Sequence, residues 1–105
     1  MGSRYYFAMR VIAKRTLRKF WAKHADSEQP LKAWHDEMLK ASWSRPSDIK
    51  AMYRNASFVA NNRVVFNIAG NKYRLVAAID YRRQALFIKF IGTHTEYDKV
   101  NVEQV

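Results

Sequence analysis

The sequence predicts an α+β domain: a mostly antiparallel sheet of four to five strands packed on an N-terminal helical hairpin. Three observations lead there. Apolar residues recur at helical spacing in the first half of the chain, alternating apolar runs replace them in the second half, and short polar turns separate those runs. At 105 residues the chain is long enough for one core and short enough for one domain, since domains commonly hold roughly 100–150 residues.

Met9 to Ala13 forms a first strand, with Val11 and Ile12 too few to fix its faces. From Lys14 to His24, Leu17, Phe20 and Trp21 recur with helical period while Arg15, Arg18, Lys19 and Lys23 fill the rest of the wheel, giving a basic amphipathic helix. Asp26-Ser27 followed by Gln29-Pro30 reads as the cap and first turn of a second helix running to about Ser42. Leu31, Trp34, Met38 and Leu39 form its apolar stripe. Arg45-Pro46 interrupts the pattern, and Ser47-Asp48 caps a single-turn helix that points Ile49, Met52 and Tyr53 inward.

Ser57 to Ala60 is a second strand, joined through Asn61-Asn62, a pair tolerant of positive φ, to a strand opening at Arg63. That strand is the first of three consecutive ones that form a meander between Val64 and Ile91, broken at Gly70-Asn71 and at Tyr81-Arg82-Arg83-Gln84. Alternation on the middle strand puts Tyr73, Leu75, Ala77 and Ile79 on one face and Arg74, Val76, Ala78 and Asp80 on the other. An arginine therefore stands on a sheet face. Where the last apolar run stops, Gly92-Thr93-His94-Thr95-Glu96-Tyr97-Asp98 gathers an imidazole, hydroxyls, a phenol and two carboxylates.

Composition narrows the function. Nineteen Lys and Arg against nine Asp and Glu give a net charge of +10, which points to a polyanionic or acidic partner rather than an indifferent surface. There is no cysteine, so disulfides and thiolate metal sites are excluded, in keeping with a reducing cytoplasm. His24, His35 and His94 lie in separate segments without a metal-binding spacing, and neither a metal nor a cofactor is expected. No apolar run approaches the roughly 20 residues that span a bilayer, and no cleavable leader is apparent.

The run Val65-Phe66-Asn67, then Gly70-Asn71-Lys72-Tyr73-Arg74-Leu75-Val76, then Gly92 to Asp98 resembles the HigB-type toxins of bacterial toxin–antitoxin systems, a branch of the RelE superfamily of mRNA-cleaving endoribonucleases. The resemblance runs from about Met9 onward, which sets the domain at 9–105 and leaves 1–8, opening Met1-Gly2-Ser3, as an expression remnant or an N-terminal arm. It implies a RelE-like fold and mRNA cleavage, often on the ribosome. It also implies neutralisation by a cognate antitoxin, of the helix-turn-helix HigA type, with operator DNA bound only through that antitoxin.

RNA can be cut by its own 2′-hydroxyl if a site accepts a proton, stabilises the charge of the transition state and protonates the leaving oxygen. Arg74 is the candidate for phosphate stabilisation, because guanidinium offers two parallel, permanently charged hydrogen bonds; the family likeness implies the same role. His94 is the candidate acid or base, because imidazole is the side-chain group suited to exchanging protons near neutral pH, and it stands where RelE-type relatives carry a functional basic residue. Tyr97 would stack on a base or hydrogen-bond the phosphate, as the family's C-terminal tyrosine does. Glu96 and Asp98 read as orienting or capping groups. Asn71 serves the turn or contacts RNA, and Lys72, Arg45, Lys50, Arg54 and Arg63 extend a cationic track. A non-catalytic RNA-binding module on the same scaffold is the alternative, and a DNA-binding repressor subunit is disfavoured by the lack of a clear helix-turn-helix.

Overall fold

A computed structural model describes residues 9–105; the segment read above as a remnant or arm lies outside the described residues. Five strands form one mixed sheet in the order β1-β5-β4-β3-β2, comprising β1 (Arg10–Ile12), β2 (Ser57–Val59), β3 (Arg63–Ile68), β4 (Tyr73–Asp80) and β5 (Ala85–Thr93). The meander is antiparallel throughout, as are β2 and β3. Only β1 runs parallel to its neighbour, β5. Among the described residues four α-helices accompany the sheet: α1 (Lys14–Lys23), α2 (Glu28–Lys40), α3 (Pro46–Met52) and the single turn α4 (His94–Tyr97). No described helix is long and apolar enough to cross a membrane.

The alternation read from the sequence decides which face of β4 is inside. Tyr73, Leu75, Ala77 and Ile79 join Leu17 of α1 and Leu31, Trp34 and Met38 of α2 in one buried cluster. Trp34 meets Phe66 edge-on at 5.5 Å, so α2 rests on β3, and Phe20 of α1 meets Tyr73 at the start of β4 edge-on at 5.2 Å. Interiors this well filled do not relax into voids, and truncating Leu75 or Phe66 to alanine costs about 2–5 kcal/mol. The opposite face is not all solvent: Val65 and Val76 are buried there. The chain after α4 returns along the sheet to the far end of β3, where Asn61 Nδ2 donates to the Glu103 carbonyl at 3.1 Å and Arg63 to the Val105 oxygen at 2.6 Å.

Local details depart from the sequence reading in four places. The cap of α2 is not a side-chain cap, because a 3-10 turn at Ala25–Ser27 delivers the chain already helical; Ser27 Oγ donates back to the His24 carbonyl at 2.7 Å, and Asp26 is free to turn elsewhere. Helix α2 stops at Lys40 rather than Ser42, and Leu39 is exposed, since the buried stripe is complete with Leu31, Trp34 and Met38. Helix α3 starts at Pro46 behind Arg45 with no side-chain cap, rather than from Ser47-Asp48, and Ile49 is buried while Met52, its last residue, is exposed. At the β3–β4 turn the positive φ angles fall on Ala69 and Gly70, not Asn71, whereas Asn61 and Asn62 both take positive φ as expected.

Candidate functional site

The antiparallel register of β4 and β5 sets Arg74 opposite Gly92, one residue before the N-cap of α4. A capping box then fixes that helix: the Glu96 amide donates to Thr93 Oγ1 at 3.2 Å, and the Thr93 amide donates to Glu96 Oε1 at 2.8 Å. A Cβ at Gly92 would lie 2.9 Å from Glu96 Oε1 and 2.6 Å from the Phe90 ring, so the glycine makes room for the capping carboxylate. With α4 held, its first and fourth residues both face Arg74. Arg74 Nη2 lies 2.8 Å from His94 Nε2, and the guanidinium carbon lies 5.9 Å from the centre of the Tyr97 ring, within cation–π reach. The three residues singled out from the sequence meet at one place.

The bond between arginine and histidine has a definite sense. Guanidinium only donates, so Nε2 of His94 accepts and the ring proton sits on Nδ1. That nitrogen faces Asp98 Oδ2 at 3.6 Å. A half-exposed imidazole is thus held with its basic nitrogen against a fixed cation. Arg74 is also tethered from Nη1 to the Asn71 carbonyl at 3.3 Å.

The remaining predicted contacts are dispersed. Asn71 flanks Arg74, and Lys50 lines a neighbouring groove, its Nζ donating to the Ala56 carbonyl at 2.9 Å. Lys72 is ion-paired with Asp26, whose other oxygen accepts from the Tyr73 hydroxyl at 2.5 Å. The hydrogen bond from Lys72, then that from Tyr73, holds the Asp26 carboxyl below its ordinary range; the same contacts push Lys72 and Tyr73 up. Arg45 is exposed at the N-cap of α3. Arg63 stands at the far end of β3, donating to the Asn61 carbonyl at 3.0 Å and the Val105 oxygen at 2.6 Å. Sequence reasoning missed the part Asp26 plays, because its local signal was that of a cap. It gave Asn67 no role either, although strand register makes it the cross-strand partner of Arg74. Among the described residues, no three His, Cys, Asp or Glu gather as a metal site.

A five-stranded mixed sheet accompanied by four helices is consistent with a RelE-like fold. Residues 27–100 match the family HigB_toxin, described as the RelE-like toxic component of a toxin–antitoxin system. The chain belongs to that family. It is 28% identical over 93 residues to the mRNA interferase toxin HigB of Escherichia coli (strain K12), covering 86% of this chain and 88% of that relative. The same figures describe its likeness to the mRNA interferase HigB of Shigella flexneri.

Proposed function

We propose that this toxin is an mRNA interferase: a metal-independent endoribonuclease of the cytoplasm that cuts mRNA on the ribosome, using the RNA's own 2′-hydroxyl as nucleophile. The observation that carries this reading is the 2.8 Å contact between Arg74 and His94, which puts a phosphate ligand and a proton acceptor side by side. An incoming phosphate takes two donors of Arg74, because a charged bidentate pair outcompetes a neutral acceptor. Nε2 of His94 is thereby released. It accepts the 2′-hydroxyl proton as O2′ bonds to phosphorus, while Arg74 balances the charge gathering on the phosphoryl oxygens. The bond to O5′ then breaks, and that oxygen leaves with a proton from water. The products are a 2′,3′-cyclic phosphate and a 5′-hydroxyl. Asp98 orients the imidazole through Nδ1, and Tyr97 supports the guanidinium and meets the phosphate.

The net charge of +10 supports attraction to RNA and to an acidic antitoxin segment. In this reading a cognate helix-turn-helix antitoxin neutralises the toxin and carries it to operator DNA. Primer extension on a translated mRNA after brief induction tests the cleavage, comparing the intact protein with folded Arg74→Ala and His94→Gln variants. New ends inside the reading frame, with the intact protein only, are expected. No ends and normal growth would favour the non-catalytic module, whose salt-sensitive RNA affinity would be indifferent to His94→Gln.

A further inference from the structure

Beside the Arg74 site a surface groove of about 670 Å³ runs between the end of α3 and the β3–β4 turn, lined by Lys50, Arg54, Asn67, Gly70 and Asn71 among others. Two of its residues bind it directly to the reaction site: Asn67 is the cross-strand partner of Arg74, and the Asn71 carbonyl accepts from Arg74 Nη1. Among the described residues, neither asparagine side-chain amide has a hydrogen-bond partner, and Arg54 pairs with no carboxylate. Lys50 spends one donor on the Ala56 carbonyl and keeps two. Where Gly70 faces the groove, a side chain would meet nothing within 4 Å.

Two free carboxamides beside two cations form a pairing with a specific chemistry. A carboxamide offers a donor and an acceptor in one plane, the pattern that base edges present, and single-stranded RNA is read on its exposed edges in this way. The cations match a phosphate diester. We infer that this groove seats the nucleotide adjoining the scissile phosphate, with Asn67 and Asn71 reading its base and Arg54 and Lys50 holding its outer phosphate. Asn67 and Asn71 then set where the enzyme cuts, while Arg74 and His94 set whether it does. The inference rests on the proposed endoribonuclease reading and adds a specificity subsite to it.

The test is sequencing of 5′ ends across many translated mRNAs after brief induction of the intact protein, Asn67→Ala, Asn71→Ala, Arg54→Ala and Arg54→Lys, with melting checked for each. One good bidentate base contact discriminates by about 1–3 kcal/mol, about fivefold to hundredfold. Asn67→Ala is expected to weaken the base preference at one position beside the cut by that factor while cutting persists. Arg54→Ala should lower cutting at all sites alike, with recovery in Arg54→Lys. An unchanged base preference in both asparagine variants overturns the subsite, as does a uniform loss of cutting in folded Asn67→Ala, which would move that residue into the reaction itself. Absence of cuts with the intact protein overturns the parent reading instead, and is recognised without any variant.

Discussion

Arg74 and Arg63 stand on the same face of the same sheet, at opposite ends of the paired strands β3 and β4, and they are used differently. Arg63 gives its donors to two backbone oxygens, and among the described residues its buried Nε has no partner. Both acceptors are main-chain oxygens, one of them on Val105, so Arg63 fastens the returning chain to the sheet. Arg74 gives one donor to a carbonyl and another to an imidazole that can rotate, protonate or yield to a better acceptor. A cation spent on main-chain oxygens holds structure together; a cation against an exposed imidazole is available for chemistry.

The comparison can be broken most directly at the base. His94→Gln keeps a polar partner for Arg74 but no proton acceptor of suitable strength, and cleavage should fall by about 10²–10⁴-fold with little change in melting. Arg74→Ala should cost about 10²–10³-fold in single-turnover cleavage, again in a protein that melts normally. If either variant instead unfolds while cutting survives in the folded fraction, the two arginines have been assigned the wrong way round.

Arg63→Ala should show the reverse pattern, lowering stability by about 1.5–3 kcal/mol in denaturant melts while the folded protein still cuts. A smaller effect separates the pH dependence of folding from that of cleavage. His35 is buried, and desolvation, followed by the charge of Lys14, lowers its pKa below the ordinary 6.5. A lowered histidine contributes stability above pH 6.5 that is lost as pH falls through its folded-state value. His35→Gln should flatten that decline in melting temperature and leave the pH profile of cleavage alone. A profile that moved with His35 would mean that acid acts on folding, not on His94.

The smallest effect concerns the tie between the α1–α2 turn and the strand that carries Arg74. Asp26 has a folded pKa below its ordinary 3.8, so its tie to Lys72 and Tyr73 is complete above that pH and is lost as pH falls through the folded value. Asp26→Asn should therefore melt lower at neutral pH and show a shallower acid decline. An unchanged acid limb would leave the tie without energetic weight.

Much of the fold was legible because its signals are local. Periods of 3.6 and 2 residues located α1, α2 and the meander, and the paired asparagines at 61–62 announced their positive φ. Arg74, His94 and Tyr97 were likewise visible as residue types at the ends of these patterns. The less legible features join residues far apart in the chain. Asp26 reads as a cap until a 3-10 turn removes that need and Tyr73, 47 positions later, claims its carboxylate. Val76 reads as sharing a face with Arg74, yet it is buried.

The sequence by itself determined the alternating faces of β4, the basic character of the surface and the chemistry available after Gly92, because each depends on near neighbours or on composition. Only the tertiary structure decided that Arg74 meets His94 rather than open solvent, that Asn67 stands across from it, and that Arg63 is spent on backbone oxygens. Those pairings depend on strand register and on the direction in which α4 leaves β5. Both are set by packing among distant residues, where a shift of one position would turn every side chain to the other face.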